Sequence, residues 1–295
     1  MNRAKTDEDF LLINPSYAMC AELTEAQRKI LGKKYIDVGI AEEEAVALAS
    51  GAARNGSNVL LMTDASFILR TLDQTISDLC LNNSYATILV HYSAVGCEDK
   101  THTGIFTAPI FSNVPNLKML VPTCKKELVA MLDWSLNQKE HPVMIFVPRE
   151  YVSYRDVDTN FTLGKYLIEK SGKDIAIFAV AAMFEKAEKL LPEIKKQFGI
   201  DATLINPRTI SDLDVETLDM LKKNHKLVIV MEDNSKFGGF GEKIADYYGD
   251  TEIKVKTFGF EKMFYDEYIE DLMFEKNNMT NDKILEYIKE AVKKF

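Results

Sequence analysis

The sequence has no apolar run that is long enough to cross a membrane. Its longest apolar stretches, such as residues 175–183, span nine residues, whereas a membrane-spanning helix needs about 20. The N-terminal residues MNRAKTDEDF carry charges without an apolar segment behind them, which is not the pattern of a secretory signal. These absences predict a cytoplasmic protein that does not associate with a membrane.

The sequence also has few cysteines and few bases. None of its four cysteines forms a C-x-x-C pair or has the spacing of zinc ligands, so we predict reduced, structural thiols and no metal site in this chain. Lys and Arg number 36 against 45 Asp and Glu, a net charge of −9. No basic run is long enough to indicate a nucleic-acid surface, and an anionic ligand would need a few local cations.

What the chain does contain is a regular alternation of apolar runs and helix-like segments. In the first half the strand-like runs are FLLIN, YIDV, NVLLM, ATILVHY, LKMLV and VMIFV. Runs that are apolar on both faces and separated by helices indicate a parallel sheet covered on both sides. The polar stretch 150–172 interrupts the alternation, which restarts at DIAIFAV.

We therefore predict an α/β fold of two parallel-sheet, three-layer domains. Residues 1–155 form the first domain, 156–172 a linker and 173–295 a smaller second domain.

Three glutamates, Glu42, Glu43 and Glu44, open the helix that follows YIDV. Acids in a first turn are stabilised by the helix dipole, by about 0.3–1 kcal/mol each, so their position by itself requires no chemical role.

A second group of polar residues follows buried strands. Asp99 and His102 lie in the loop after ATILVHY, while His91 and Arg149 end strands. In an open parallel sheet, ligands bind beyond the carboxyl ends of the strands, where these residues are expected. A capped surface turn, or a strand cap with a salt bridge, explains them as well.

Several short motifs follow one another over most of the chain. They are Ile36-Asp37-Val38-Gly39-Ile40-Ala41-Glu42, Phe67-Ile68-Leu69-Arg70 with Asp73-Gln74, Asp99 with Thr101-His102, Val114-Pro115-Asn116-Leu117 with Val121-Pro122, and Glu232-Asp233 with Gly238-Gly239-Phe240-Gly241. In this order they resemble the transketolase and deoxyxylulose-phosphate synthase superfamily. The resemblance implies a pyrimidine-binding domain followed by a transketolase C-terminal domain.

The resemblance also implies thiamine diphosphate as the cofactor. Glu42 matches the catalytic glutamate that hydrogen-bonds the aminopyrimidine ring, Phe67 matches the aromatic residue that stacks on this ring, and Arg70 belongs to the same cofactor-binding motif. His102 matches the catalytic histidine near the donor carbonyl, and Asp99 matches the acid that binds the donor hydroxyl.

Three further residues match the family's substrate-phosphate pocket. They are His91, Arg149 and Ser16. Two positions depart from the family. Lys100 stands where the family has Gly-Pro, which shortens the loop and can displace Asp99. Tyr92 stands where the synthases have an arginine, which favours a transketolase.

The family binds the diphosphate and Mg²⁺ through a Gly-Asp-Gly … Asn motif in an N-terminal domain, and no Gly-Asp-Gly occurs here. We therefore expect an N-terminal partner subunit that holds the Mg²⁺, in a two-plus-two heterotetramer formed through self-association of this chain. The expected reaction is transfer of a two-carbon ketol unit between phosphorylated sugars.

Three alternatives share the fold: the β subunit of a 2-oxo-acid dehydrogenase, an enzyme like 1-deoxyxylulose-5-phosphate synthase, and a non-catalytic regulatory subunit. The first is expected to lack the set His91, Asp99 and His102. The shortened loop favours the last, whereas the intact Glu42 argues against it.

Overall fold

The first half of the chain forms a six-stranded sheet. The computed structural model describes residues 2–15, 23–95, 100–148, 155–266 and 269–295. The strands are β1 (Phe10–Asn14), β2 (Tyr35–Asp37), β3 (Asn58–Asp64), β4 (Thr87–His91), β5 (Lys118–Leu120) and β6 (Val143–Val147). All pair in parallel, in the order β2-β1-β3-β4-β6-β5. Every residue of β6 is buried, because helices cover both faces of the sheet.

The helices of the first half include short irregular turns. They are α1 (Asn2–Thr6), α2 (Glu25–Leu31), α3 (Glu42–Arg54), α4 (Ala65–Ile68), α5 (Leu72–Gln74), α6 (Thr107–Phe111) and α7 (Lys125–Asn137), with 3₁₀ turns at Gly32–Lys34 and Leu69–Thr71 and a π-helix at Thr75–Cys80. Ala45, Ala49 and Ala53 of α3 are fully buried. Their four-residue spacing puts them on one face of α3, and their small size lets that face pack closely.

The second half forms a five-stranded mixed sheet in the order β11-β10-β8-β9-β7. Its strands are β7 (Leu167–Lys170), β8 (Asp174–Ala179), β9 (Thr203–Asn206), β10 (His225–Ser235) and β11 (Lys254–Phe260). Four of them pair in parallel, and β7 pairs antiparallel to β9 at one edge. The predicted fold class of two α/β domains with mainly parallel sheets is confirmed. The domain boundaries stay a prediction, and β7 lies within the segment that we predict as a linker.

Helices of the second half lie between and after these strands. They are α8 (Met183–Phe198), α9 (Val215–Leu221), α10 (Phe240–Tyr247), α11 (Glu270–Lys276) and α12 (Asn281–Val292). None of the helices in the described part of the chain is both long enough and apolar enough to span a bilayer. Cys80 and Cys124 are free and buried.

The two sheets are joined directly at strand β5. Val121 N donates to Arg208 O, and Ile210 N donates to Met119 O, so the segment after β9 continues the hydrogen bonding of β5. Beside it, the buried carboxylate of Glu127 accepts from Arg208 Nε at 2.9 Å and from Asn206 Nδ2 at 2.9 Å. A charged group removed from water needs such partners. This pair therefore holds the two domains in a defined arrangement.

The C-terminal part of strand β10 contains two buried acids, Glu232 and Asp233. Glu232 accepts from the backbone N–H groups of Phe240 and Gly241 at the start of α10. Gly239 is required here because a Cβ would lie 2.5 Å from Glu232 Oε2. Burial raises the pKa of Glu232 to about 8 and the pKa of Asp233 to about 7.

These two acids predict that the protein loses stability as the pH rises. Their pKa values are higher in the folded protein than in the unfolded chain, where Asp and Glu titrate at about 4. The unfolded chain therefore releases these protons first, and the free energy of unfolding falls as the pH rises toward about 7–8. Urea unfolding at pH 6 and pH 8.5 measures this. Glu232→Gln should flatten the dependence, whereas Asp246→Asn, which changes an exposed acid of α10, should not. Equal slopes in all three proteins would contradict the assignment.

Candidate active site

Burial distinguishes Glu42 from the two glutamates that follow it. Glu42 is the first residue of α3 and is 2% exposed, whereas Glu43 and Glu44 are exposed. The helix dipole acts on all three acids and does not require one of them to be buried. A buried carboxyl needs a polar partner, so Glu42 has a more specific environment than a first-turn acid requires.

The partner of Glu42 comes from the segment that follows β3. Arg70 Nη1 donates to Glu42 Oε2 at 3.2 Å, although the two residues are 28 positions apart. The guanidinium carbon of Arg70 also lies 5.7 Å from the centre of the Phe67 ring. The turn from β3 through α4 thus brings Phe67 and Arg70 to the start of α3.

His102 extends this group on the other side of Phe67. The two rings meet edge to face, with their centres 5.4 Å apart and their planes at 82°. His102 Nδ1 and Thr101 Oγ1 lie 2.8 Å apart, at hydrogen-bonding distance. The loop lies close to the end of β4. A Cβ on Gly104 would be only 2.0 Å from Tyr92 O, so this close approach requires glycine. Glu42, Arg70, Phe67 and His102 are therefore linked by consecutive contacts.

His91 lies at the same edge of the sheet as this group. It is the last residue of β4, and its register neighbour on β3 is Asp64. Asp64 directly precedes α4 and is 7% exposed. Our sequence reasoning did not single out Asp64. The signal was an acid two residues after the apolar run NVLLM, close to the end of its strand as His91 is close to the end of ATILVHY.

Three predicted substrate residues, Ser16, Asp99 and Arg149, lie outside the described residues. Their assignments stay predictions. Lys100, the departure next to Asp99, forms an ion pair with Asp266 of the second domain. Phe106 also meets Phe264 there, with ring centres 6.1 Å apart. The second domain thus contacts both ends of the 100–106 loop that carries His102.

The described residues offer a carboxyl and an aromatic face, but no cluster of metal-binding side chains. Among them, no three His, Cys, Asp or Glu side chains are placed to bind a metal ion together. Proton transfer and ring stacking are the chemistry that Glu42, Phe67 and His102 support. A cofactor that supplies its own reactive carbon would suit such a site.

The two-domain α/β architecture and this site agree with comparisons with known proteins. A family model described as the transketolase pyrimidine-binding domain matches residues 5–153, and one described as the transketolase C-terminal domain matches residues 164–284. The chain belongs to the transketolase family, whose members, with the deoxyxylulose-phosphate synthases, are thiamine-diphosphate enzymes.

Curated relatives include 1-deoxy-D-xylulose-5-phosphate synthases. The protein of this name from Clostridium tetani is 32% identical over 291 residues, which cover 97% of this chain and 46% of the relative. The one from Clostridium botulinum strain Alaska E43 is 34% identical over 237 residues, which cover 79% of this chain and 38% of the relative. The chain thus spans less than half the length of these relatives.

Similar solved structures include a split-gene transketolase described as an inactive β4 tetramer. It has a TM-score of 0.87 at 20% identity, and the match covers 99% of this chain and 95% of that one. A transketolase mutant from Pichia stipitis has a TM-score of 0.77 at 17% identity, and the match covers 96% of this chain and 43% of that one. At these identities the likeness shows the shared fold.

Proposed function

We propose that this chain is the C-terminal subunit of a thiamine-diphosphate-dependent transketolase in the cytoplasm. The enzyme transfers a two-carbon ketol unit between phosphorylated sugars. The observation that carries the proposal is the buried Glu42 at the start of α3, linked through Arg70 and Phe67 to His102. This arrangement gives the motif residues a common location at the carboxyl edge of the first sheet, where ligands bind in such folds.

The side chains fit an aminopyrimidine ring. Glu42 is a buried carboxyl that can share a proton with a ring nitrogen, and Phe67 offers an aromatic face on which the ring can stack. When bound, the cofactor supplies the nucleophilic carbon for the reaction. Glu42 then holds the proton at the pyrimidine nitrogen, while His102 can donate a proton to the donor's carbonyl oxygen or remove one from its hydroxyl.

The diphosphate and Mg²⁺ are proposed to bind to an N-terminal partner subunit with the Gly-Asp-Gly … Asn motif. The similarity to a split-gene transketolase, of which this chain covers 95%, supports a separate partner. The complex is proposed to be a two-plus-two heterotetramer in which copies of this chain associate with each other. His91, Asp99, Arg149 and Ser16 are proposed to bind the sugar phosphate, and Arg149 supplies a planar fork that suits phosphate.

A second candidate is an activity like that of 1-deoxyxylulose-5-phosphate synthase. The observation in its favour is that the curated relatives above carry this name. A 1-deoxy product has a methyl group where a ketol product has a hydroxymethyl group. The two-carbon unit would then come from a donor without that hydroxyl, such as a 2-oxo acid. Tyr92, at the position of the synthases' arginine, favours the transketolase.

A complementation experiment separates these functions. The chain is mixed with a candidate partner that has the Gly-Asp-Gly … Asn motif, thiamine diphosphate and Mg²⁺, and is assayed with a phosphorylated aldose acceptor. One arm uses a ketose phosphate donor and the other a 2-oxo acid. We expect product in the ketose arm with the mixture, and none with either protein alone.

Product in the 2-oxo acid arm alone would replace the transketolase by the second candidate. Full activity of this chain without a partner would contradict the proposal that the active site is shared between two different subunits. A mixture that binds thiamine diphosphate but is inactive in both arms would favour the regulatory subunit.

A further inference from the structure

Arg70 contacts both groups to which the pyrimidine ring is assigned above. It donates to Glu42 Oε2 and lies beside the ring of Phe67. The two partners of this ion pair differ strongly in exposure, since the side chain of Glu42 is 2% exposed and that of Arg70 is 51% exposed. Arg70 can therefore turn toward solvent. Glu42 cannot do so without disrupting the packing of the first turn of α3, in which it is buried.

We propose that Arg70 competes with the aminopyrimidine for Glu42 and Phe67, and that its guanidinium must turn away before the cofactor ring binds. This inference rests on the proposed function. It gives Arg70 a different role from the one that the resemblance implies, because a group that must leave the site lowers the cofactor affinity instead of contributing to it.

The geometry of Glu42 supports a competition over simultaneous binding. Arg70 Nη1 is bonded to Glu42 Oε2, and the Glu42 side chain is only 2% exposed, so little of the carboxyl is open to a second partner. The ion pair and the pyrimidine contact thus use the same buried group. Before cofactor binding, the pair satisfies a buried carboxylate that would otherwise be costly.

Arg70→Met tests this idea, because it keeps the apolar stem of the side chain and removes the charge. The complex with the partner subunit and Mg²⁺ is titrated with thiamine diphosphate in a calorimeter. The Kd should be about tenfold lower than that of the unmodified complex, because the cofactor ring no longer has to displace the guanidinium from Glu42. Arg54→Met is the matched control. Arg54 is an exposed arginine at the end of α3 that donates to Asn82 Oδ1 at 2.7 Å, and its replacement should leave the Kd unchanged.

A second readout needs no cofactor. In the full chain by itself, Arg70→Met should lower the melting temperature by about 2–4 °C because Glu42 loses its partner. In the Glu42→Gln background the same change should have almost no effect, and this difference measures the coupling of the pair. Absence of coupling would overturn the inference at its first step.

The two experiments separate this inference from the proposed function. If the unmodified complex binds thiamine diphosphate and Arg70→Met binds it more weakly or equally well, Arg70 does not compete and the inference alone is wrong. If the unmodified complex does not bind thiamine diphosphate, the proposed function is wrong and the inference falls with it. Tighter binding by Arg70→Met, together with coupling to Glu42, supports both.

Discussion

Replacing Glu42 by glutamine should lower the rate of the proposed ketol transfer, in the proposed complex with the partner subunit, by at least about 100-fold, the range in which general acid–base groups act. Glutamine keeps the size of the side chain and one hydrogen bond, but it cannot share a proton with a pyrimidine nitrogen. Folding and cofactor affinity should therefore be largely retained. Steady-state kinetics at saturating cofactor, with a parallel measurement of cofactor Kd, distinguishes a slower reaction from lost binding.

Glu43→Gln and Glu44→Gln are matched controls for this prediction. Both acids lie in the same helical turn and feel the same dipole, but they are exposed whereas Glu42 is buried. Their replacement should leave the rate of ketol transfer unchanged and affect stability by no more than about 1 kcal/mol. Similar losses of rate in all three variants would mean that the turn as a whole matters and that Glu42 has no special role.

The second large effect is expected at the junction of the domains. Glu127→Ala should lower the free energy of unfolding by about 3–5 kcal/mol, because Arg208 is left buried without its carboxylate partner. Glu127 also accepts from Thr123 N at 2.9 Å and from Asn206 Nδ2, so its loss frees buried donors on both sides of the junction. Equilibrium unfolding in urea measures the change.

Asp156→Ala serves as the control for the junction. Asp156 pairs with Lys126, the neighbour of Glu127, at 2.7 Å, but its side chain is 97% exposed. Exposed ion pairs contribute about 0–1 kcal/mol, so this variant should be close to the unmodified protein. A Glu127→Ala variant that is no less stable than Asp156→Ala would show that the buried pair does not hold the domains together.

The sequence was sufficient to predict the central strands of both sheets. The run VMIFV is apolar at every position, and DIAIFAV at every position after Asp174, because the strands that they form, β6 and β8, are covered on both faces. Strand β7 was not predicted. Its residues LIEK lie at an edge and are half-buried to exposed, so they show neither an apolar run nor a clear alternation.

Contacts between distant residues account for most of what the sequence could not predict in the site. The acids Glu42, Glu43 and Glu44 are chemically equivalent in the sequence, and the resemblance, not the spacing, selected Glu42. Its burial and its pairing with Arg70, 28 residues away, depend on how the turns after β2 and β3 meet. The pairing of Glu127 with Arg208 likewise joins residues 81 positions apart in different domains.

The most direct test of the central claim is proton–deuterium exchange at the thiazolium C2 position in the assembled complex, followed by NMR after acid quench. The claim is that Glu42 promotes removal of this proton through the pyrimidine ring. Exchange should be slower in Glu42→Gln by orders of magnitude, with about 1.4 kcal/mol of barrier for each factor of ten, and unchanged in Glu43→Gln. Exchange in Glu42→Gln that is as fast as in the unmodified complex would contradict the catalytic assignment of Glu42.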